Sequence, residues 1–185
     1  MIPTLKTLTP KTLTPKGEAR RAALMDAVLR VLELHGPGGV THRAVAAEAG
    51  VPLAAATYYF ATIDDLLVSA LTRATDEQVD LLAALDTPDI AAFARHLHTY
   101  THTHRASAIA QYELLFLAMR RDSLRPAADV WYQALEKAVR ATGLDGQAAA
   151  VAALAIDGLL VRMLWHGDPS SVPEIESMLR SILNR

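Results

Sequence analysis

Cysteine is absent from this 185-residue chain, which excludes a disulfide framework, a thiolate zinc site and a cysteine nucleophile together. Aromatic residues are scarce, at 5% of the chain. Long uninterrupted apolar runs are missing as well. The most apolar stretch, Ala148 to Trp165, is broken by Asp157 and Arg162. Both are costly in a bilayer, so no membrane span and no membrane partner are expected. The N-terminus lacks the continuous apolar segment of a secretory signal and repeats prolines instead; a cytoplasmic protein is the expectation. Nor is there a strong charge of one sign: 18 Lys and Arg stand against 20 Asp and Glu, a formal charge of −2. Whole-chain electrostatics therefore advertise neither nucleic acid nor membrane.

What is present is a globular composition. Apolar residues at 51% and charged residues at 21% supply a core and exclude wholesale disorder. The length accommodates one domain, or a small head and a larger body. Charge is unevenly spread: residues 1–63 hold seven basic and four acidic side chains, residues 64–185 eleven and sixteen. A short basic head on an acidic body is informative because phosphate binding is local. Residues 1–16 stand apart. TLTPK occurs in tandem at Thr7–Lys11 and Thr12–Lys16, and three of the four lysines are Lys6, Lys11 and Lys16. Threonine and proline at this density disfavour a helix, which predicts a flexible basic arm over 1–16. The plainer alternative is an over-extended start of the reading frame with no role.

From Gly17 onward the pattern is helical. Leu24, Val28, Val31 and His35 recur at helical spacing, and Gly36-Pro37-Gly38-Gly39 ends that helix. Thr41 is placed to cap a short helix over His42–Ala49, with Val40 and Val45 as a hydrophobic staple, and Gly50 stops it. Pro52 suits the first turn of another short helix reaching about Tyr59. Thr62-Ile63-Asp64-Asp65 resembles a capping box for a helix running to about Ala84. Thr87-Pro88 opens the next, which is too long to continue unbroken to Asp122, so a break is expected near Thr103–Ala106. Pro126 opens a further helix closing at Thr142-Gly143. Asp145 is expected to cap the next, which ends at Gly167-Asp168-Pro169, and Ser171-Val172-Pro173-Glu174 is a capping box for the last. The fold class is all-α, with about nine helices.

Two short helices joined through Glu48-Ala49-Gly50-Val51-Pro52, with a longer helix before them, build a helix-turn-helix whose second helix can enter a major groove. With this string in hand, the chain resembles the TetR family of bacterial transcriptional regulators. The matching residues are Thr41-His42-Arg43-Ala44-Val45-Ala46-Ala47-Glu48-Ala49-Gly50-Val51, then Tyr58-Tyr59-Phe60, then Asp64-Asp65-Leu66-Leu67. The resemblance implies a DNA-binding head over 17–62 and a ligand-binding and dimerisation bundle over 63–185. It also implies a homodimer on a double-stranded, roughly palindromic operator, acting as a repressor released by a small-molecule inducer.

Carried over residue by residue, Thr41 and Arg43 match family positions that touch phosphates or a base edge. Arg43 suits a bidentate guanine contact; a solvated surface charge is the plainer reading. Ala54, Ala55, Thr57, Tyr58 and Tyr59 match the DNA-facing stretch. Thr57 suits a thymine methyl or a phosphate, and the tyrosine hydroxyls suit phosphates. Phe60 reads as core, and Tyr58 stands equally for core. The family usually has Tyr at position 57 and Lys at position 63, where this chain has Thr57 and Ile63. The lost phosphate contact is expected to be made up by the arm, through Lys6, Lys11, Lys16, Arg20 and Arg21.

In the body, Phe93, Tyr100, Tyr112, Phe116, Trp131, Tyr132 and Trp165 recur on the predicted helices with Leu97, Leu115, Met119, Met163 and Leu164. Phe93, Leu97, Tyr100, Phe116, Met119, Trp131 and Met163 are the candidate lining of a ligand pocket, with ordinary bundle core as the alternative. His96, His98, His102 and His104 crowd into nine residues. His98 and His102, four apart, have the spacing of a metal pair, but no carboxylate or cysteine lies nearby to complete one; a polar pocket wall or solvent-facing histidines are the competing readings, and no metal is assigned. The Ala148–Trp165 helix is apolar nearly all round and needs cover on two sides. One cover would be a partner subunit, together with the final helix Val172–Leu183, as the family's four-helix interface implies.

No glycine-rich phosphate loop, nucleophile elbow or H-E-x-x-H motif occurs, so no enzyme activity and no cofactor are expected. The rival to a regulator is a helical small-molecule or metal-binding protein with a decayed DNA-binding head.

Overall fold

Helix boundaries in this chain follow its capping residues closely. The structure, a computed structural model, describes residues 14–84, 89–167 and 170–184. Nine α-helices occur among them: α1 (Pro15–His35), α2 (His42–Glu48), α3 (Leu53–Tyr59), α4 (Ile63–Ala84), α5 (Ile90–His98), α6 (Arg105–Leu117), α7 (Arg125–Ala141), α8 (Gly146–His166) and α9 (Val172–Ile182).

Helix α1 starts earlier than the repeat suggested. The Thr14 hydroxyl accepts from the Gly17 N–H at 3.2 Å, and Pro15 takes the first position, where a missing N–H costs nothing. Thr14, Pro15 and Lys16 therefore belong to the helix and not to the arm expected over 1–16. The rest of that arm, with Lys6 and Lys11, lies outside the described residues. At its other end α1 stops at Gly36, in the left-handed region at φ 64°, and a 3₁₀ turn follows over Pro37–Gly39. A side chain at Gly39 would bring its Cβ within 2.4 Å of the His35 Cβ, so this turn needs glycine there.

Thr41 caps α2 through the Ala44 N–H at 3.1 Å, and the Val40–Val45 staple is buried. Pro52 sits just before α3 as its cap residue. The Thr62 N–H donates to Asp65 and the Asp65 N–H to Thr62, at 2.9 and 3.0 Å, closing a capping box on α4. Asp89 caps α5 through the Ala92 N–H at 3.0 Å; the expected opening at Thr87-Pro88 lies outside the described residues. Asp145 stands at the cap position of α8, yet its side chain makes no capping hydrogen bond. The Ser171–Glu174 capping box forms as expected.

The break expected near Thr103–Ala106 begins four residues earlier and takes the form of a π turn, Thr99–Thr103, followed directly by α6. Inside it the buried Thr101 hydroxyl donates to the Leu97 carbonyl at 2.8 Å, competing with the helical ladder for that acceptor.

Helix α1 packs on α2, α4 and α6; α4 packs on α7 as well as α1; α5 lies against α9, and α7 against α8. One continuous cluster of buried apolar residues runs from Leu24 to Leu183. The position 62/63 where head and body were divided is therefore a helix start inside a shared core. Helix α8 has the length and composition of a membrane span, with 44% of its apolar window buried. Here it is a bundle helix.

Phe60, at the α3–α4 junction, is 2% exposed. Phe60→Ala is expected to destabilise the fold by about 3–5 kcal/mol, measurable as a lowered midpoint in chemical denaturation.

Candidate nucleic-acid interface and ligand cavity

The helix-turn-helix is held by two contacts beyond its core. A ring nitrogen of His42, at the start of α2, lies 2.8 Å from the Phe60 carbonyl beyond α3. An exposed Arg30–Glu48 pair at 2.6 Å ties α1 to the end of α2. These fix the angle at which α3 is presented. Gly50, at φ 65°, lets the chain turn between the two helices, and half-buried Val51 packs against the core.

On this frame Thr41, Arg43, Ala54, Thr57 and Tyr58 are exposed, and Ala55 and Tyr59 are half-buried. Arg43 has no hydrogen bond or ion pair with any described residue, so its fork is available. The Thr57 hydroxyl donates back to carbonyls of its own helix, Leu53 at 3.4 Å and Ala54 at 3.3 Å. Tyr58 is 63% exposed and meets Tyr59 edge-on, with centroids 5.1 Å apart. Tyr59 packs against the core, and Phe60 is core, as its position predicted. Leu53, absent from the sequence reading, is exposed at the first turn of α3, where an apolar side chain suits a thymine methyl.

Two of the cations expected to help the arm have separate fates. Arg20 is exposed. Arg21 instead lies 5.5 Å over the Phe60 ring and reaches the Ser69 hydroxyl at 3.4 Å, so it is engaged within the head. Ile63 is half-buried against the core, which gives it a packing role at a position where the family usually presents a lysine.

In the body, α6 and α8 are joined twice. Arg105, at the start of α6, donates to the Leu164 carbonyl at 2.6 Å; one face further along, the Tyr112 hydroxyl donates to Asp157 at 2.7 Å. Between these ties lies a cavity of about 210 Å³ lined by Ile109, Tyr112, Glu113, Phe116, Val161, Leu164 and Trp165. Positions 109, 112, 113 and 116 share one face of α6, and 157, 161, 164 and 165 one face of α8. Rings run inward from it: Phe116 to Tyr112 at 5.9 Å, Tyr112 to Trp131 at 6.2 Å, Trp131 to Tyr100 at 6.1 Å. At the far end the Tyr100 hydroxyl donates to Gln111 at 2.9 Å.

Among the described residues, the one charged member of this cavity's lining is an acid, Glu113. Burial raises the Glu113 carboxyl above its usual value, and no described cation pairs with Glu113 or Asp157. The Tyr100 and Tyr112 hydroxyls are pushed well up, first by burial and then by the Asp157 charge. The Nε1 of Trp131 and the Nε2 of Gln111 are buried donors without a partner.

Of the seven expected pocket residues, Phe116 lines this cavity and Tyr100 and Trp131 belong to the ring cluster behind it. Phe93 and Leu97 are buried in α5, the helix that lies against α9. Met163 faces a separate cleft between α8 and α9, and Met119 is exposed at the end of α6. Those four sit elsewhere because α5 is turned to α9 and α6 ends at Leu117, just before Met119. Tyr112 and Trp165, named among the body's aromatics, line the cavity as well, whereas Glu113 and Asp157 were not anticipated there. The signal for Asp157 was present: one of two charges in an otherwise apolar helix. The His98 and His102 rings are 5.2 Å apart, and no group of three metal-ligating side chains occurs among the described residues.

A family profile described as "Bacterial regulatory proteins, tetR family" matches residues 24–70, and one described as "Tetracyclin repressor-like, C-terminal domain" matches residues 88–185. The chain belongs to the TetR family. It is 30% identical to the HTH-type transcriptional regulator BetI of Rhizobium meliloti (strain 1021), over 89% of this chain and 88% of that protein. Among solved structures it is similar to the multidrug binding protein EbrR complexed with ethidium, at 34% identity and TM-score 0.74, covering 88% of this chain and 97% of that one. A TetR-family member from Streptomyces coelicolor A3 is 32% identical with TM-score 0.73, at the same coverage. As a TetR-family protein the chain is a ligand-responsive, DNA-binding transcriptional regulator, and its helix-turn-helix is the DNA-binding element.

Arg43→Ala is expected to weaken specific DNA binding by about 1–3 kcal/mol and to relax base preference at one position per half-site. Titration of a selected duplex against single-base variants reads both effects.

Proposed function

We propose that the chain is a homodimeric, cytoplasmic repressor without enzymatic activity, released from a palindromic operator by an aromatic organic cation. Thr41, Arg43, Leu53, Ala54, Ala55, Thr57, Tyr58 and Tyr59 would form the DNA-facing surface. The single observation that carries the ligand class is the α6–α8 cavity. Aromatic rings line it, half-buried Glu113 has no ion-pair partner among the described residues, and Asp157 accepts from the Tyr112 hydroxyl behind it. A ring face attracts a cation through its quadrupole, and an unpaired carboxylate in apolar surroundings gains most from a positive partner. The likeness to EbrR, solved with ethidium, proflavin and malachite green, supports the same class. Trp165 and Phe116 are exposed at the rim, so a flat ligand can stack on them while part of it stays in water.

Dimerisation is supported by the uncovered stripe of α8. Val151 and Leu154 are exposed on this helix, and Ala155, Gly158 and Arg162 continue along the cleft beside α9. Leu154→Glu is expected to shift the protein to monomer in analytical ultracentrifugation and to abolish operator binding, because two heads are needed for one palindrome.

Selection of bound duplexes from a random pool, followed by titration at several salt concentrations, tests the regulator. A palindrome with a steep salt slope is expected. Weak binding without enrichment, lost in modest salt, would leave the helical ligand-binding protein with a decayed head. For the ligand, malachite green is titrated into the protein alone, since cationic dyes also stack on DNA. Glu113→Gln and Asp157→Asn are each expected to weaken binding about tenfold. Unchanged affinity in both variants would remove the cation reading.

A further inference from the structure

A second cleft, of about 360 Å³, lies between α4, α5 and the segment Thr99–His104. Its chemistry is opposite to that of the α6–α8 cavity. Arg95 and His96 reach it from α5, Gln78 from α4, and Thr99 and His104 from the π turn. Among the described residues no carboxylate lines it. The apolar part of the wall is Leu81, half-exposed on α4, with the buried Tyr100.

The π turn is what assembles this group. Arg95 and Thr99 are four apart and stack on one helix face. In an α-helix His104 would be rotated away from them, because five residues overshoot a turn of 3.6. Here the His104 N–H bonds to the Thr99 carbonyl at 3.0 Å, the five-residue closure of a π turn, and His104 lies in line above Thr99. Single π turns in α-helices are frequently found at functional sites. The fixed charge of the cleft is Arg95, whose acid, Asp89, is 3.6 Å away with both side chains more than half exposed. That long contact uses Nη2 alone, and Nε and Nη1 have no partner among the described residues. His96 is half-buried and has no hydrogen-bond partner among the described residues; burial lowers its pKa, and its ring carries an N–H donor in either protonation state.

We infer that this cleft is a second ligand site, for a small monocarboxylate with an apolar body. The carboxylate sits on the Arg95 fork with His96, Thr99 and Gln78 as further donors, and the body lies over Leu81 and Tyr100. The site is independent of the cation cavity: none of its lining residues belongs to that cavity.

Calorimetry of the full-length protein with 1-naphthoate tests this, with the neutral 1-naphthalenemethanol as the control for apolar attraction alone. Naphthoate is expected to bind at least tenfold more tightly than the alcohol. Arg95→Gln, an exposed change that leaves the core untouched, is expected to erase that difference and to leave malachite green binding intact. Glu113→Gln is expected to do the reverse. Equal binding of naphthoate and the alcohol, or naphthoate binding unchanged in Arg95→Gln, would overturn the inference. Loss of malachite green binding to the native protein would overturn the cation reading only, since naphthoate binding does not depend on it.

Discussion

Helix α4 has to satisfy two sets of neighbours at once, and the rest of the molecule is arranged around that requirement. It packs on α1 of the head and on α7 of the body. Leu66, Leu67, Ala70 and Leu71 are buried near its start. Its first turn is clasped from the body side: Arg121 pairs with Asp64, and the Ser123 hydroxyl donates to the same carboxylate at 3.0 Å. Both partners come from the segment just after α6, the helix that forms one wall of the ligand cavity. The segment after α6 is thereby tied to the N-terminal turn of α4, which follows the helix-turn-helix. A second tie, the Ser107 hydroxyl to Glu33 at 2.8 Å, joins α6 to α1 directly. Neither tie is a large energy by itself, since both are partly exposed. Their value is geometric: each links α1 or α4 to α6 or the segment just after it.

Most of the helical architecture was legible in the sequence because its punctuation is local. Thr41, Thr62, Ser171, Gly36 and Gly50 each act within four residues, and each does what its type favours. The departures are also local in origin. Thr14 and Pro15 made the second TLTPK copy look like part of a disordered arm. In the structure they are a cap and a first-turn proline, which is equally good chemistry for the same residues. The π turn was visible only as an expected break. Its register depends on a buried threonine hydroxyl competing for a carbonyl, and burial cannot be read from four alternating Thr and His residues.

The two functional regions differed in how far sequence could reach. Recognition-helix residues lie within one short stretch, so exposure there followed once α3 was placed. The α6–α8 cavity is built from faces of two helices some fifty residues apart. Phe116, Tyr112 and Trp165 stood among the body's aromatics, but Glu113 and Asp157 were not anticipated, because which face of α6 meets which face of α8 is set by packing. Aromatic content alone could not separate Phe93 and Leu97, which serve α5 in the core, from Tyr112, which serves the cavity.

The scarcity of indoles has an optical consequence. The chain has two tryptophans, and the fold places them in opposite surroundings. Trp131 is 3% exposed and stacked beside Tyr100; Trp165 is 82% exposed at the rim of the cavity. The first emits from an apolar interior and the second from near-aqueous surroundings. The blue edge of the intrinsic fluorescence therefore follows the integrity of the bundle, while the red edge and its accessibility to quenchers follow what happens at the cavity mouth. The protein carries, without any label, separate spectral channels for folding and for occupancy.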